Sequence, residues 1–400
     1  MPGLFDSPHP IDESAVRRYR LNSVRSQVAK QDLAGVLLFD PINIRYATGS
    51  RNMQVWTMHN FCRYALVLTS GPCVMFELPN GMHLLKNLDT IDEVRPALST
   101  DYLIIGPRTP EIQSKWASEI DDLVRQHAGG NRRLAVDRLD AGTAHALERL
   151  RLVLSDGKEV MEHARAIKSL EEIRAFRASL STCEAAMEEL RQQVQPGMSE
   201  QQALSILLAQ SVHRGGEYPE TRLMTSGPRT NPWFQETSDR VIENGDFLSF
   251  DTDLIGPMGY YNDISRSWIV GDAKPTDEQR KLYRESRTQL ETNISLLHPG
   301  MSFLEYSSKA YQLPEKYLAN RYADVGHGCG LGVEYPFLWY QEDEKYGAYD
   351  GVFEENMIVC IESYVGEKGG HEGVKLEQPV WISADGPIVL SDFPFEDDLD

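Results

Sequence analysis

Long hydrophobic runs, a basic charge excess and paired cysteines are all missing from this chain of 400 residues. No stretch approaches the roughly 18 apolar residues that a transmembrane helix needs, so no membrane span is expected. Acidic residues outnumber basic ones by 60 to 40, which argues against nucleic acid and anionic membrane as partners, because both bind basic surfaces. The five cysteines are dispersed without CxxC spacing. An odd, dispersed count is typical of unpaired thiols in a reducing cytoplasm.

The N-terminal segment also lacks an apolar core. Its first twenty residues are polar and contain acids, so we expect no secretory signal and a cytoplasmic protein. The rest of the composition, with 41% hydrophobic and 25% charged residues, is that of a soluble globular chain. The length is enough for two domains.

The first half of the chain alternates between helical and strand patterns. Residues 15–31 predict a charged helix and residues 35–40, "GVLLFD", predict a buried strand. Residues 64–78 indicate two strands joined by Ser-Gly-Pro, and residues 120–137 indicate a helix, a Gly-Gly break and a strand. This alternation favours an α/β domain of about 150 residues.

A different pattern begins after residue 157. Residues 158–196 carry helical periodicity up to "QPGMSE", where Pro and Gly end the helix and Ser199 can cap the next one. From residue 221 onward strands dominate, interrupted by a helix at 276–298 that ends at "HPGMS". We therefore predict an α+β protein whose domain boundary lies near 155–165, with domains at 1–160 and 161–400.

Acidic residues stand where a buried strand pair is predicted, in "LSFDTDLIGPMGYYNDISRS" at 248–267. Asp251 and Asp253 are two positions apart, so both are expected to face the same side of one strand. A hairpin around Gly256–Pro257 brings Asp263 across from them. Three carboxylates in an apolar setting repel one another and are poorly solvated, and a bound cation removes that cost. Carboxylate ligands suit ions such as Mn or Fe more than structural zinc.

Further ligand candidates follow in the last third of the chain. "ADVGHGCGLGVEYP" places His327 among glycines that let the backbone approach closely. "MIVCIESYVG" places Glu362 at the end of an apolar strand, and "GVKLEQPVWI" places Glu377 in another. Any one of these acids alone is most simply a solvent-facing group at a strand end. Three Asp, one His and two Glu together predict a metal site.

The order Asp, Asp, His, Glu, Glu resembles the pita-bread metalloenzymes, which include prolidase, methionine aminopeptidase and the metal-free creatinase. Instead of the usual "DxG" before "GYxxD", this chain has "DTDLIGPMGYYND". That variant, together with "SGPRTNPWFQE" at 226–236 and "LLFDPINIRYATGSRNMQVWTMHN" at 37–60, resembles the dimethylsulfoniopropionate lyases of the DddP type. The resemblance runs from about residue 16 to 396. It implies a creatinase-like N-terminal α/β domain followed by a C-terminal pita-bread domain.

The resemblance also implies a ligand set, a metal and a partner. Two divalent ions, with iron favoured over Mn, Zn or Co, would be held by six residues: Asp251, Asp253, Asp263, His327, Glu362 and Glu377. The chain would form a homodimer in which the N-terminal domain covers the partner's active site. The loop "NMQVWTMHN" would then bring three residues to the neighbouring substrate site: Trp56, His59 and Asn60. Their simpler interpretation is a capped loop with a core Trp.

A dinuclear centre supports two chemistries on a small molecule. It lowers the pKa of a bridging water for hydrolysis, or it binds a substrate carboxylate and acidifies the adjacent C–H for β-elimination. The elimination converts a propionate with a sulfonium leaving group into acrylate and dimethyl sulfide. It needs an aromatic surface for the cation and a base near the α-carbon. The available aromatic residues are Trp233, Phe234, Tyr260, Tyr261 and Tyr322, each of which is also compatible with simple core packing.

Two departures from the family patterns bear on the reaction. Peptidases of the family carry a histidine where this chain has "NPWFQ", and another where it has Glu334; their absence argues against a standard aminopeptidase. The lyases carry an aspartate, thought to be the base, six residues after the metal histidine, where this chain has Val333. Valine cannot accept a proton. The candidates for the base are therefore Tyr322, Asp324 and Glu334.

Three hypotheses follow from these observations. The first is a DddP-like, metal-dependent C–S lyase. The second is a prolidase-type hydrolase that cleaves a dipeptide or another C–N bond, which Val333 and the intact metal set favour. The third is a catalytically silent binding protein, against which the six retained ligands argue because unneeded buried acids reduce stability.

Overall fold

The computed structural model describes residues 4, 5 and 9–399, and these form two compact units. One unit is residues 10–165, and the other is formed by residues 166–399 with residues 4, 5 and 9. The predicted boundary at 160/161 falls inside a helix, Gly157–Ala166. Part of the segment considered for a secretory signal, and the last residue of the acidic tail, lie outside the described residues.

The N-terminal unit is a mixed sheet with helices. Its helices are α1 Glu13–Lys30, α2 Pro41–Thr48, α3 Gln54–Thr57, α4 Tyr102–Ile105, α5 Thr109–His127, α6 Ala141–Arg149 and α7 Gly157–Ala166, whose last residue opens the second unit. Its strands are β1 Gly35–Leu38, β2 Tyr64–Leu68, β3 Cys73–Glu77, β4 Glu93–Pro96, β5 Arg133–Val136 and β6 Val153–Asp156. The sheet order is β4-β3-β2-β1-β5-β6. Strands β1, β5 and β6 are parallel to one another, whereas β2 is antiparallel to both of its neighbours.

Local sequence explains these elements well. Asp12 and Asp40 cap α1 and α2 through their side chains, and Pro41 stands at the first position of α2. Every residue of β1, β2 and β3 is buried, which is why these strands read as continuous apolar runs. Trp116 from α5 packs into this core with the rings of Phe39 and Tyr64. The predicted strands at 35–40 and 64–78 and the helix at 15–31 are confirmed within one to two residues.

The C-terminal unit consists of antiparallel sheets with long helices. Its helices are α8 Leu170–Gln193, α9 Glu200–His213, α10 Asp277–Leu296, α11 Phe303–Lys309 and α12 Glu315–Leu318. Its strands are β7 Met224–Ser226, β8 Phe247–Asp251, β9 Leu254–Ile255, β10 Tyr261–Asn262, β11 Ser265–Ile269, β12 Gly326–Cys329, β13 Val333–Leu338, β14 Ile358–Gly366, β15 Gly373–Ser383 and β16 Gly386–Val389. They form a sheet β11-β8-β7, a sheet β13-β12-β14-β15-β16 and a hairpin β9–β10.

The long strand pair β14–β15 lies at the centre of this unit. All residues of both strands are buried. Leu282 and Leu290 of α10 share one apolar cluster with Ile361 of β14 and Leu376 of β15. The side chain of Ser267 in β11 accepts from the backbone N–H of Lys375 in β15 and donates to its carbonyl, at 3.1 and 3.0 Å. The two larger sheets are thereby joined at the strands that carry the predicted ligands.

Three predicted features need correction. The helical pattern at 158–196 is two helices, α7 and α8, because Ser169 is extended and caps α8 by accepting from the N–H of Glu172. Glu362 lies in the middle of β14, not at its end. Strand β8 ends at Asp251, and Asp253 adopts a φ of 44°, so the alternation that placed both aspartates on one face does not extend past Asp251.

The remaining local predictions agree with the structure. Ser199 caps α9 in a capping box, and the hairpin loop closes between Ile255 and Tyr261. None of the described helices combines the length and the apolar character that crossing a membrane requires.

Candidate metal centre and substrate site

The site is organised around two glutamates that face each other across β14 and β15. Glu362 and Glu377 are direct cross-strand partners, and their exposed fractions are 1% and 0%. Like charges in directly opposed positions destabilise a strand pair, and burial increases the cost because no water screens them. The other side chains of these two strands are mainly apolar and cannot balance two carboxylates. The glutamate pair therefore requires positive charge nearby.

Two aspartates and a histidine converge on this pair. His327 of β12 lies with its Nε2 3.5 Å from Asp263 Oδ2, 3.6 Å from Glu362 Oε1 and 3.9 Å from Glu377 Oε1. Its Nδ1 lies 3.1 Å from the carbonyl oxygen of Gly328, which leaves Nε2 free to act as a ligand. Asp251, Asp263 and Glu377 form a further group, whose potential metal-ligand atoms lie within 4.8 Å of one another. Five of the six predicted ligands therefore meet.

Asp253 has a different environment in this structure. Its carboxylate accepts hydrogen bonds from the hydroxyls of Thr221 and Tyr261, and among the described residues it belongs to none of the three potential metal-binding groups. Burial and the neighbouring charge of Asp251 raise the pKa of Asp253 to about 7. Its role as a ligand remains a prediction.

Lys375 is a buried residue of the site that the sequence analysis missed. Its Nζ donates to Glu362 Oε2 at 2.5 Å and to Ser265 Oγ at 2.6 Å. The same ammonium lies 3.2 Å from Asp251 Oδ2. The available signal was its spacing in "KLE", since a residue two positions before Glu377 in a strand shares its face.

We call Asp251, Asp263, Glu362 and Glu377 the acid cluster. Burial and the charges of its neighbours raise the pKa of Asp263 and of Glu377 well above the usual range. Burial also disfavours ionised Asp251, but the Lys375 ammonium and nearby hydrogen bonds lower its pKa overall. Burial acts against the positive charge of His327, yet the Glu362 carboxylate and other acids raise its pKa to about 10. The cluster therefore retains protons unless other cations are supplied.

The donor set fits divalent metal ions. One buried oxygen on each of three acids, Asp251 Oδ1, Asp263 Oδ1 and Glu377 Oε1, has no hydrogen-bond donor among the described atoms. Buried carboxylate oxygens are normally satisfied, so unsatisfied oxygens grouped beside an imidazole nitrogen are what a metal ligand set requires. Cys360 Sγ is also within 4.8 Å of ligand atoms of Asp263 and His327, although its burial raises the pKa of the thiol.

An aromatic wall formed by Trp233, Phe234 and Tyr322 lies beside the acid cluster. The Lys375 Nζ is 4.5 Å from the ring centroid of Tyr322 and 5.9 Å from that of Trp233. Phe234 stacks on Tyr322 with 5.2 Å between centroids and is 59% exposed. The wall thus extends from the buried acids to solvent, and its inner rings already lie within cation–π distance of the Lys375 ammonium.

The three candidate bases have different surroundings. Tyr322 and Asp324 lie in the loop between α12 and β12, and both are buried. Asp324 Oδ1 has no hydrogen-bond partner among the described atoms, and burial, with the charge of Glu362, raises the pKa of Asp324 to about 8. Glu334 is buried, accepts from the N–H of Leu331 and forms an ion pair with Lys168 at 3.0 Å.

The other predicted substrate contacts are spread over both units. Tyr260 packs edge-on against Phe176 of α8 at 5.7 Å, so it lies in a core contact and not in the aromatic wall. In the N-terminal unit, Trp56 is 42% exposed in α3, His59 is exposed, and Asn60 donates to the carbonyl of Trp56 at 2.9 Å. The proposed role of these three residues is not tested by contacts within one chain.

Two family models match the chain. The model of metallopeptidase family M24 matches residues 174–384, which include all six predicted ligands. The model of the creatinase/prolidase N-terminal domain matches residues 20–167.

Similar proteins are found by sequence and by structure. A dimethylsulfoniopropionate lyase DddP from Roseovarius nubinhibens is 39% identical over 96% of this chain and 87% of its own length. A second DddP, from Roseobacter denitrificans, is 38% identical over the same shares. An Xaa-Pro dipeptidase from Bacillus anthracis has a similar fold, with a TM-score of 0.75 at 20% identity over 95% of this chain and 99% of its own.

Proposed function

The chain belongs to metallopeptidase family M24, and on that premise we propose that it is a metal-dependent lyase acting on dimethylsulfoniopropionate or a similar small zwitterion. The observation that carries the proposal is the 39% identity to a DddP lyase over 390 residues. Identity of that extent covers both units, whereas the match to an Xaa-Pro dipeptidase of Pyrococcus furiosus is 28% over 57% of this chain. The aromatic wall beside the acid cluster supports the same conclusion.

The proposed cofactor is a pair of divalent ions, with iron favoured. The residues that would hold it are Asp251, Asp253, Asp263, His327, Glu362 and Glu377. When bound, the ions supply a positive site for the substrate carboxylate and increase the acidity of the adjacent C–H.

The chain's own residues position the other end of the substrate. A sulfonium group is a cation without hydrogen-bond donors, so it is recognised by aromatic faces. Trp233 and Tyr322 lie close to the acid cluster, where the Lys375 ammonium already contacts their rings, and the exposed Phe234 extends the aromatic surface outward. The carboxylate of the substrate thus points towards the cluster and its sulfonium lies along the wall.

Asp324 is the base that this geometry favours. It removes a proton from the carbon next to the carboxylate, the C–H electron pair forms the double bond, and the C–S bond breaks to release neutral dimethyl sulfide. Burial and the charge of Glu362 raise the pKa of Tyr322 well above its usual range, so its hydroxyl stays protonated. Glu334 is held by Lys168. Tyr322 and Glu334 remain candidates for the base, and substitutions of each residue distinguish them from Asp324.

The test is headspace detection of dimethyl sulfide from the purified protein loaded with iron or manganese. We expect release that depends on the metal, with acrylate formed in equal amount. Asp324→Asn should lower kcat by about 10²-fold or more, whereas Tyr322→Phe should mainly raise KM and Glu334→Gln should mainly reduce stability. Protein with two metal ions bound that releases no sulfide would contradict the proposal.

A prolidase-type hydrolase is the second candidate, and Val333 favours it. This residue opens β13 and is 46% exposed, and it stands where the resemblance to the lyases implies a base. The test is a dipeptide panel under the same metal conditions. Release of free proline from Xaa-Pro substrates, without sulfide release, would establish the hydrolase instead.

We further propose a cytoplasmic homodimer in which the N-terminal domain, residues 1–160, covers the active site of the partner's catalytic domain, residues 161–400. The exposure of Trp56 supports a role in trans for the loop that also carries His59 and Asn60. Mixing Trp56→Ala chains with Asp263→Asn chains should restore roughly a quarter of wild-type activity, since half of randomly paired dimers hold one intact composite site. No recovery in a mixture shown to contain mixed dimers would place Trp56 in its own chain's site or outside both.

A further inference from the structure

The aromatic wall is carried by two loops and not by helices or strands. Trp233 and Phe234 lie in the chain between β7 and β8, and Tyr322 lies between α12 and β12. Asn231 stands two positions before Trp233, and its exposed fraction is 8%. The position of the wall therefore depends on side chains that fix these loops to the strands of the unit.

The carboxamide of Asn231 connects three other segments. Its Nδ2 donates to the carbonyl oxygens of Glu367 and Gly370, at 2.8 and 3.1 Å, in the turn between β14 and β15. Its Oδ1 accepts from Asn320 Nδ2 at 2.8 Å and lies 3.0 Å from the hydroxyl of Tyr364 in β14. Both N–H groups and the oxygen of this amide are thus engaged.

The surroundings select an asparagine at this position. Two backbone carbonyls need two donors on one nitrogen, and the Asn320 amide needs an acceptor beside it, which a short carboxamide provides and a carboxylate does not. The paired Gly366 and Gly373 at the end of β14–β15 leave room for it. A methyl group on Gly366 would lie 2.6 Å from Asn231 Oδ1.

The rings next to Asn231 have no polar anchor. The indole N–H of Trp233 has no hydrogen-bond partner among the described atoms, and its ring packs on Tyr364 with 5.9 Å between centroids. Phe234 is 59% exposed and adopts a φ of 67°. A bulky residue keeps that left-handed conformation only when the flanking chain is held in place. The hydrogen bonds of Asn231 supply this constraint.

We propose that Asn231 is a positioning residue of the substrate site, whose amide fixes both loops of the aromatic wall to the strand pair that carries Glu362 and Glu377. Asn231 itself touches no substrate and acts through the three rings. Without its hydrogen bonds the loop moves away from Tyr322, and the sulfonium group loses aromatic surface. The role in substrate binding rests on the proposed function, whereas the anchoring of the wall does not depend on the reaction.

The experiment compares Asn231→Asp and Asn231→Ala with the wild-type full-length protein. We expect KM for dimethylsulfoniopropionate to rise about 10-fold, the effect of losing one cation–π contact. The value of kcat should change less than about 2-fold, because lost binding that is equal in ground and transition states leaves kcat intact. Acrylamide quenching of Trp233 fluorescence, taken as the difference between each protein and the same protein with Trp233→Phe, should increase.

Two further variants separate positioning from general stability. The matched control is Asn293→Asp, since Asn293 is 0% exposed in α10 and accepts from the N–H of Tyr311 at 2.8 Å. It also buries a new carboxylate but should keep the wild-type KM and Trp233 quenching. Asn320→Ala removes one hydrogen bond of Asn231 from a partly buried position. It should raise KM about 3-fold, even if the Asn231 variants do not fold.

The outcomes distinguish the inference from the proposed function. Unchanged Trp233 quenching in the Asn231 and Asn320 variants would overturn the inference, and so would equal changes of KM in Asn231→Asp and Asn293→Asp. A fall in kcat at constant KM would also overturn it. If the metal-loaded wild-type protein releases no sulfide, only the lyase proposal is contradicted, because increased Trp233 quenching in the variants would still support the anchoring of the wall.

Discussion

Buried charge is handled differently in the two units of this protein. In the N-terminal unit, Arg63 and Glu77 are 1% and 0% exposed and form an ion pair at 2.8 Å. Ser50 also contacts Arg63, whereas Asn52 and the N–H of Leu78 donate to Glu77, and Nη1 of Arg63 has no hydrogen-bond partner among the described atoms. In the C-terminal unit, four acids share one lysine and one histidine, and three of their oxygens have no donor among the described atoms.

The difference separates a structural charge from a functional one. A buried pair that is balanced one for one, with both carboxylate oxygens hydrogen-bonded, needs no further ligand, although it adds little stability over an apolar pair. A buried cluster with excess negative charge and unsatisfied oxygens is costly by itself. A folded protein can retain such a cluster when a bound ligand offsets its energetic cost. Here the ligands that fit are metal ions.

Removal of one acid from the cluster should have the largest effect. Asp263→Asn removes a predicted ligand that lies 3.5 Å from His327 Nε2. We expect loss of bound metal and a fall in activity of about 10⁴-fold, since metal ions contribute several kcal/mol of transition-state stabilisation and each 1.4 kcal/mol is a factor of ten. Metal analysis and initial rates measure both effects.

The control for that variant is Asp137→Asn. Asp137 is a buried carboxylate of the N-terminal unit that accepts from the N–H groups of Phe39 and Asp40 and from Asn43. The folded Asp137→Asn variant should keep the metal content and activity of the wild-type protein. Equal metal loss in both variants would mean that loss of any buried carboxylate, and not of a metal ligand in particular, releases the metal.

Breaking the balanced pair should affect stability and not metal binding. Arg63→Met leaves Glu77 buried without its partner and should cost about 3–5 kcal/mol of unfolding free energy. The double variant Arg63→Met/Glu77→Met should recover most of that loss, because no unpaired charge remains. Chemical denaturation and metal analysis are the measurements. A double variant as unstable as the single one would show that the loss comes from packing.

The pH dependence of the N-terminal unit should reveal Asp137. Burial raises its pKa from 3.8 to about 6, so between about pH 4 and pH 6 the folded state binds a proton that the unfolded state has released. Stability therefore falls as pH rises through this window, by at most about 3 kcal/mol. Asp137→Asn should flatten the slope in thermal unfolding scans. An unchanged slope would assign the effect to other carboxyl groups.

The smallest effect concerns Val333. If the absence of an acid there limits the lyase reaction, Val333→Asp should raise kcat by about 10-fold, and its 46% exposure leaves room for the new carboxylate. Val333→Asn is the matched control, since it has the same shape and cannot accept a proton. Equal rates in both variants and the wild-type protein would place the base elsewhere, in agreement with Asp324.

Much of this organisation could be predicted from the sequence. Continuous apolar runs identified β1, β2 and β3, and Pro-Gly breaks with capping serines located the start of α9. Acids in apolar strands pointed to the metal centre, since hydrophobic strands rarely contain ionisable residues without a reason. Each of these signals depends on neighbours in the chain, which is why it can be read locally.

Three particular features depended on contacts between distant residues. The opposition of Glu362 and Glu377 follows from the register of β14 and β15, which is set by a long strand pair and not by local pattern. Lys375 became part of the site because Ser265 and Asp251, more than a hundred residues earlier, lie against it. Glu334 became an ion-pair partner because Lys168 lies 3.0 Å away.

The amino-acid sequence alone thus predicted the two-part α+β organisation, the class of ligands and the chemistry they allow, because residue type and periodicity are properties of the chain. The folded structure was needed to show which oxygens lack a donor, which candidate base is held by a lysine, and where the site's own cation lies. Those properties are set by distances of a few ångströms between segments that are far apart in sequence, and burial there changes both charge state and affinity.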